Sequence, residues 1–317
     1  MEIKSRDFIE RVEYKGEFWK PCPGTTAGYY CCGYQIITPA TGCGMYCRYC
    51  VLQAYFDHQN QTIYENFSDL ENEIHLKMAS HSGVIRFGTG EFGDSLFLDH
   101  ITSFSTKIAS LLEPYHAVVE FKTKSTNIMN LHKVKNPEKV IIGFSLNAPS
   151  RIQLFERNTA PLIDRLKAAR ECIEMGFYVA FHFDPMFWFE NCELEYRNVV
   201  KLIFDYIKDP SRIAWVSLGG FRTMPSLKTL LKKNQTHLPL FSGEMVYGAD
   251  GKLRYFRPFR VALYSMMREE FEQFAPEITL YLCMESPDVW DESGMIKNIP
   301  HGLVKYLDNR ACEMLKS

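Results

Sequence analysis

Two periods of apolar residues alternate along this chain. Short, nearly continuous apolar runs occur at YQIITPAT (34–41), VIRFGT (84–89), AVVEFKT (117–123), VIIGFSL (140–146), FYVAFHF (177–183) and IAWVSLG (213–219). Each is followed by a stretch in which apolar residues recur at helical spacing, predicting helices near 68–79, 96–112, 127–132, 160–175, 194–207 and 226–232. The apolar runs suit strands buried on both faces, and strands alternating with helices imply right-handed crossovers and a parallel sheet. Six such units predict an α/β fold, a partial (βα)6 barrel of the TIM type, short of the eight units needed for closure. The alternation is lost after about residue 235. The chain is therefore divided into an N-terminal cysteine-containing segment (1–33), the barrel (34–235) and a C-terminal extension (236–317) expected to cover the rim where the strands end.

Composition narrows the setting. A 46% apolar and 23% charged sequence is that of an ordinary soluble enzyme, and a net charge of -2 offers no bulk attraction to nucleic acid. A nucleic-acid partner would have to meet a local basic patch. No apolar run is long enough to span a membrane, and the charged start MEIKSRDFIERVEYKGEF has no apolar signal region, so a reducing, cytoplasmic setting is expected. There, cysteines serve as ligands, catalytic thiols or core residues rather than disulfides. Six of the ten fall between Cys22 and Cys50, whereas Cys172, Cys192, Cys283 and Cys312 are scattered, as buried apolar residues would be.

The densest chemistry is in TGCGMYCRYCVLQ (41–53), directly after the first strand. Cys43-x3-Cys47-x2-Cys50 offers three thiolates on one tight loop. Iron–sulfur clusters are normally fixed by four cysteine thiolates, so three leave one iron open to an external chelator. A zinc site completed by Cys22, Cys31 or Cys32 is the alternative. Cys-x3-Cys-x-aromatic-Cys, with Tyr49 as the aromatic, resembles the signature of the radical S-adenosylmethionine (SAM) superfamily. The Leu-Gln that follows narrows the resemblance, from about Cys22 to Trp290, to the spore photoproduct lyase family and its wider relatives. That resemblance implies a [4Fe–4S] cluster on Cys43, Cys47 and Cys50 that binds SAM and cleaves it reductively. The resulting 5′-deoxyadenosyl radical would abstract hydrogen from a substrate. It further implies a reductant such as flavodoxin or ferredoxin and, as substrate, a DNA photolesion with lyase chemistry. Radical modification of a peptide, RNA or small metabolite is a second reading, and an iron–sulfur scaffold or sensor without turnover a third.

The same resemblance assigns further residues. Tyr49 would lie near the adenine. Gly88, Thr89, Gly90 and Glu91 look like the superfamily stretch that holds the SAM amino group. Glycines at a strand end also permit close approach and Glu91 can accept from an ammonium, although a plain strand-to-helix turn would look the same. Lys124 resembles the lysine that meets the SAM carboxylate, and Ser145 and Asn147 resemble further SAM contacts, or are turn residues. Two departures stand out. The family's hydrogen-returning cysteine has no counterpart in GTGEFGDS, and Val51 replaces the tyrosine after the last cluster cysteine. Cys283, in YLCMESPDVW, is the candidate hydrogen donor if the C-terminal segment reaches the rim. Cys22, Cys31 and Cys32 stay unassigned, the last two pointing to opposite faces if they share a strand. KLRYFRPFR (252–260) interleaves Lys252, Arg254, Arg257 and Arg260 with Tyr255, Phe256 and Phe259. That mixture suits phosphate contact and base stacking, or a half-buried strand with a charged outer face. His182 and Asp184, at the end of the fifth strand, face substrate or satisfy local backbone groups.

Overall fold

The computed structural model describes residues 9–24, 26–56, 60–233, 239–241 and 244–316. The expected boundary at 235/236 lies outside them, as do the first residues of the N-terminal segment. One sheet organises the molecule. Its strands are β1 (Trp19–Pro21), β2 (Gln35–Ile37), β3 (Ile85–Gly88), β4 (Ala117–Thr123), β5 (Val140–Ser145), β6 (Tyr178–Met186), β7 (Ile213–Gly220) and β8 (Leu280–Leu282). They are hydrogen-bonded to one another in chain order, with β1 and β8 at the two edges. Every pair from β2 to β8 is parallel, and β1 alone runs antiparallel to its neighbour. The result is an open half-barrel in the α/β class.

The six expected strands are therefore joined by a seventh parallel one. β8 comes from the C-terminal extension and pairs Leu280 with Val216 and Leu282 with Leu218. At three residues, preceded by the long helix Arg257–Phe274, it is too short to register as a period in the sequence. The run 34–41 divides at Pro39, which has no N–H for a ladder. β2 ends at Ile37, and Ala40–Thr41 pairs instead with Gln61–Tyr64 in a separate small sheet. The expected helix 96–112 is broken by Ser103, whose φ of 52° is left-handed, so the continuous helix begins at Phe104.

Burial explains why the sheet holds its curl. Every residue of β7 is buried, as a strand covered on both faces requires. Against β5 and β6 the helix Leu162–Glu174 buries Leu162, Leu166, Ala169 and Cys172 along one stripe. Cys172 and Cys192 are core residues, while Cys312 is partly exposed. The carboxyl ends of the parallel strands, with their loops, are thus gathered on one rim.

Candidate active site

A cavity of about 260 Å³ opens at that rim. Cys43, Cys47 and Cys50 line it from the loop after β2. The loop can make its turn because Gly42 has φ +81° and a side chain there would strike the Asn60 carbonyl at 2.4 Å. Neighbouring segments fix its backbone. Gly42 N–H donates to the Phe92 carbonyl (2.8 Å), and Arg48 N–H to that of Phe155 (2.8 Å). Asn158 Nδ2 donates to the Gly44 carbonyl (2.9 Å). Gln53, of the Leu-Gln pair, donates from Nε2 to the Cys47 carbonyl (2.9 Å). Burial pushes all three thiols up, Cys47 to about 12. Among the described residues, no three His, Cys, Asp or Glu side chains converge as ligands of a single metal ion. A cubane takes one thiolate per iron and needs three thiols spread around it, as one short loop supplies.

The glycines of the 88–91 stretch serve other side chains. A Cβ on Gly88 would lie 2.2 Å from the Tyr34 ring, and one on Gly90 would lie 2.6 Å from Lys122 Cβ. Gly90 and Glu91 face the cavity. Thr89 lies beneath it, its Oγ1 donating to Ser95 Oγ at 2.7 Å. Lys122 Nζ sits 2.8 Å from Glu91 Oε1 and 4.7 Å from the centre of the Tyr34 ring. The Tyr34 hydroxyl donates to Glu120 Oε2 (2.6 Å), and His182 Nε2 meets Glu120 Oε1. Burial pushes this carboxyl up, but His182 and then Lys122 and Tyr34 outweigh it and hold Glu120 at about 2. Glu120, Lys122 and Asp94 were not singled out from the sequence. A carboxylate in the middle of an apolar strand is the signal for Glu120, because a buried charge demands partners. Asp94 accepts from Thr123 Oγ1 (2.7 Å) and from the N–H groups of Lys124 (2.7 Å), Leu96 (3.0 Å) and Phe97 (2.9 Å). It thereby ties the end of β4 to the 88–95 loop.

Tyr49 and Lys124 line the same cavity as the three cysteines, Lys124 Nζ standing 6.0 Å from the Tyr49 ring centre. The Tyr49 hydroxyl donates to Glu156 Oε1 (2.6 Å), and Glu156 Oε2 accepts from Arg165 (2.5 Å), both side chains of that ion pair being fully buried. Burial pushes Glu156 up, yet Arg165 and then Lys124 overcome it and hold the carboxyl below its usual range. Arg165 also donates to the Ser145 carbonyl (2.8 Å). Ser145 lines the cavity; Asn147 does not. Its amide donates to the Pro185 carbonyl (2.9 Å) and accepts from Ala148 N–H and Tyr196 (2.9 Å each). Asn147 is a tie between the ends of β5 and β6.

The opposite wall carries thiols. Cys283, immediately after β8, lines the cavity together with Cys22 and Cys32. Arg222 Nη2 donates to Cys283 Sγ (3.5 Å) while its guanidinium grips both oxygens of Asp184, at 3.2 and 2.8 Å. Asp184 and His182 both face this space. The 252–260 segment behaves differently from its phosphate-binding expectation. Arg254 is buried, both oxygens of Asp250 lie 2.7 Å from it, and its guanidinium stands 4.6 Å from the Tyr29 ring centre. Tyr255 is buried, and Arg260 is buried against Glu285 (3.4 Å). Of the four cations Arg257 alone is well exposed, next to the exposed rings of Phe256 and Phe259, and Asp288 and Glu292 flank it at 3.0 and 3.4 Å. Structural ion pairing, which the alternation of charge and aromatic cannot reveal, accounts for these cations.

Known proteins resemble this arrangement. The spore photoproduct lyase of Clostridium acetobutylicum is 24% identical over 206 residues, covering 63% of this chain and 60% of that protein. The spore photoproduct lyase of Bacillus subtilis is 28% identical over 163 residues, covering 50% of this chain and 48% of that protein. The chain thus spans 60% or less of the length of these two relatives. In fold it superposes on a spore photoproduct lyase double mutant with bound AdoMet and dinucleoside spore photoproduct. The TM-score is 0.77 and the identity 21%, with coverage of 87% of this chain and 83% of that one. The spore photoproduct lyase family model matches residues 31–237, a stretch that contains β2 to β7 and the three-cysteine loop. With that match over most of its length, the chain belongs to the spore photoproduct lyase family.

Proposed function

We propose that Cys43, Cys47 and Cys50 hold a [4Fe–4S] cluster, that SAM binds its open iron, and that the chain acts on a pyrimidine photolesion in DNA. The observation that carries this reading is the placement of the three-thiol loop, Tyr49, Glu91 and Lys124 around one cavity in a member of this family. The donor set fits: three soft thiols on one short loop facing the cavity. When bound, the pair supplies one-electron cleavage of the sulfonium and a carbon radical able to abstract hydrogen. A flavodoxin- or ferredoxin-class donor would provide the electron. The ten unbridged cysteines suit a reducing cytoplasm, and among the described residues no helix is long and apolar enough to cross a membrane.

The chain's own residues bind and orient. Glu91, already holding the Lys122 ammonium on Oε1, has Oε2 to accept from a ligand ammonium. Lys124, kept charged against burial by Cys47 and Glu156, answers a carboxylate. Tyr49, locked by Glu156, offers a fixed ring edge to a nucleobase. Cys283 is proposed as the donor that returns hydrogen to the substrate radical. Burial pushes its thiol to about 12, so it keeps the proton that makes it a hydrogen-atom donor. The test is anaerobic reconstitution with iron and sulfide, reduction with dithionite, and addition of SAM. 5′-Deoxyadenosine should form, and added dinucleoside spore photoproduct should revert to its two thymine units. A zinc-loaded protein, or a four-iron centre indifferent to SAM, would overturn the cofactor assignment. Deoxyadenosine without lesion reversal would overturn the substrate.

A further inference from the structure

The cavity thiols outside the three-cysteine loop, Cys22, Cys32 and Cys283, come from segments far apart in the chain, and Cys283 alone has been given a task. Tyr30 N–H donates to the Glu285 carbonyl (3.1 Å), an isolated antiparallel bridge that lays residues 30–32 beside 283–285. Cys283 N–H is fixed to the Leu218 carbonyl (2.8 Å), and the Cys32 carbonyl accepts from Arg86 (2.5 Å), itself paired with Asp308 (2.7 Å). Both backbones are therefore held, and both side chains reach the cavity. The position after the third loop cysteine, Val51, carries no weak S–H or phenolic O–H bond from which a hydrogen atom could be returned at low cost. The hydroxyls of Tyr34 and Tyr49 are committed to buried carboxylates.

We infer that Cys32 is a relay thiol that re-arms Cys283 after each turnover. The inference rests on the proposed role of Cys283. Hydrogen passes from Cys283 S–H to the substrate carbon radical, forming a C–H bond and leaving a Cys283 thiyl. That thiyl takes the hydrogen atom of Cys32 S–H, a transfer between bonds of the same kind and so nearly balanced in energy. One electron from a low-potential one-electron carrier and one proton from water then restore Cys32 S–H. Both thiols are in the form this requires. Hydrogen bonding with Cys31 and then burial push Cys32 well up, and burial keeps Cys283 protonated. Each also lies within electrostatic reach of the thiol wall, Cys32 of Cys283 and Cys283 of Cys22.

Two measurements test it. Anaerobic wild-type protein treated with one equivalent of diamide, which oxidises two thiols to a disulfide, should yield a Cys32–Cys283 cross-linked peptide on mapping without reductant. A cross-link to Cys22 in its place, or none, overturns the pairing. In turnover on dinucleoside spore photoproduct, C32S should release about one equivalent of product per chain and then stall. A small external thiol should restore multiple turnovers to C32S but not to C283A. C32S turning over at the wild-type rate, or stalling beyond rescue, overturns the relay. Should wild-type protein revert no lesion at all, that failure belongs to the substrate reading, and the cross-link alone decides the pairing.

Discussion

Arg165→Met should unfasten the proposed nucleobase side of the site and cost several kilocalories of stability. Arg165 is fully buried and donates to Glu156 Oε2 (2.5 Å), Thr159 Oγ1 (2.9 Å) and the carbonyls of Ala160 and Ser145 (2.8 Å each). Methionine nearly fills the volume but leaves the Glu156 carboxylate without its cation. Removing one partner of a buried pair costs about 3–5 kcal/mol. In a chain of this size that lowers Tm by about 6–10 °C, at about 2 °C per kcal/mol. The pH dependence has a definite sign. In the wild type Glu156 is held below its usual range, so its contribution is present above that range and is lost as pH falls through the folded value. In the variant Lys124 and the Tyr49 hydroxyl alone oppose burial, so the carboxyl rises from its wild-type value and its penalty shrinks once it is protonated. The stability gap is therefore widest near pH 7 and narrows in acid. Urea denaturation followed by circular dichroism, at several pH values, measures it. Adding E156Q to R165M should recover part of the loss, because the stranded charge is gone. A gap below about 1 kcal/mol at neutral pH, or one that stays constant into acid, would refute the assignment of Arg165 as counter-ion.

Three other outcomes follow from the same geometry. Alanine at Cys43, Cys47 or Cys50 should reduce reconstituted iron from about four per chain to below about one, read by iron and sulfide analysis; undiminished iron in any of the three removes that residue from the ligand set. Gly88→Ala places a Cβ 2.2 Å from the Tyr34 ring and should destabilise by about 1–3 kcal/mol through overpacking, measured by urea titration; a neutral result would mean Tyr34 can retreat. Arg257→Glu should change the slope of log affinity against log salt for DNA by less than about one, because Asp288 and Glu292 already flank this cation; a flatter slope would return Arg257 to the phosphate-contacting surface.

Five of the six expected strands were legible because burial on both faces writes continuous apolar runs, β2 because its three residues sit inside a longer apolar run, and the helices because their apolar residues recur at 3.6-residue spacing. β8 was not, since Leu280–Leu282 is three residues long and its partner β7 lies more than fifty positions earlier. The loop cysteines could be read from spacing alone, because chelation by a short loop is a local property. Lys122 and Asp94 could not, because what gives them importance is contact between the ends of different strands. Arg254 shows the reverse limitation. Its charge among aromatics advertised a ligand, and only the packing reveals that Asp250 and the Tyr29 ring already occupy it. Cys283 lay between these cases: the thiol was visible, but its use depended on whether the extension met the rim, which the β7–β8 pairing decides.

Six thiols face this cavity, and burial raises the pKa values of all six. Acidity therefore cannot distinguish ligands from donors; arrangement can. Three sit within one loop whose carbonyls are tied to flanking segments, so they can close around a compact cluster and surrender their protons to it. The other three come from residues 22, 32 and 283, separate parts of the chain brought side by side by the β1–β2 pairing and the Tyr30–Glu285 bridge. Keeping their hydrogens requires only that the surroundings disfavour the thiolate, which a buried wall does. On the proposed function, the same side chain would begin radical chemistry in one part of the cavity lining and end it in another.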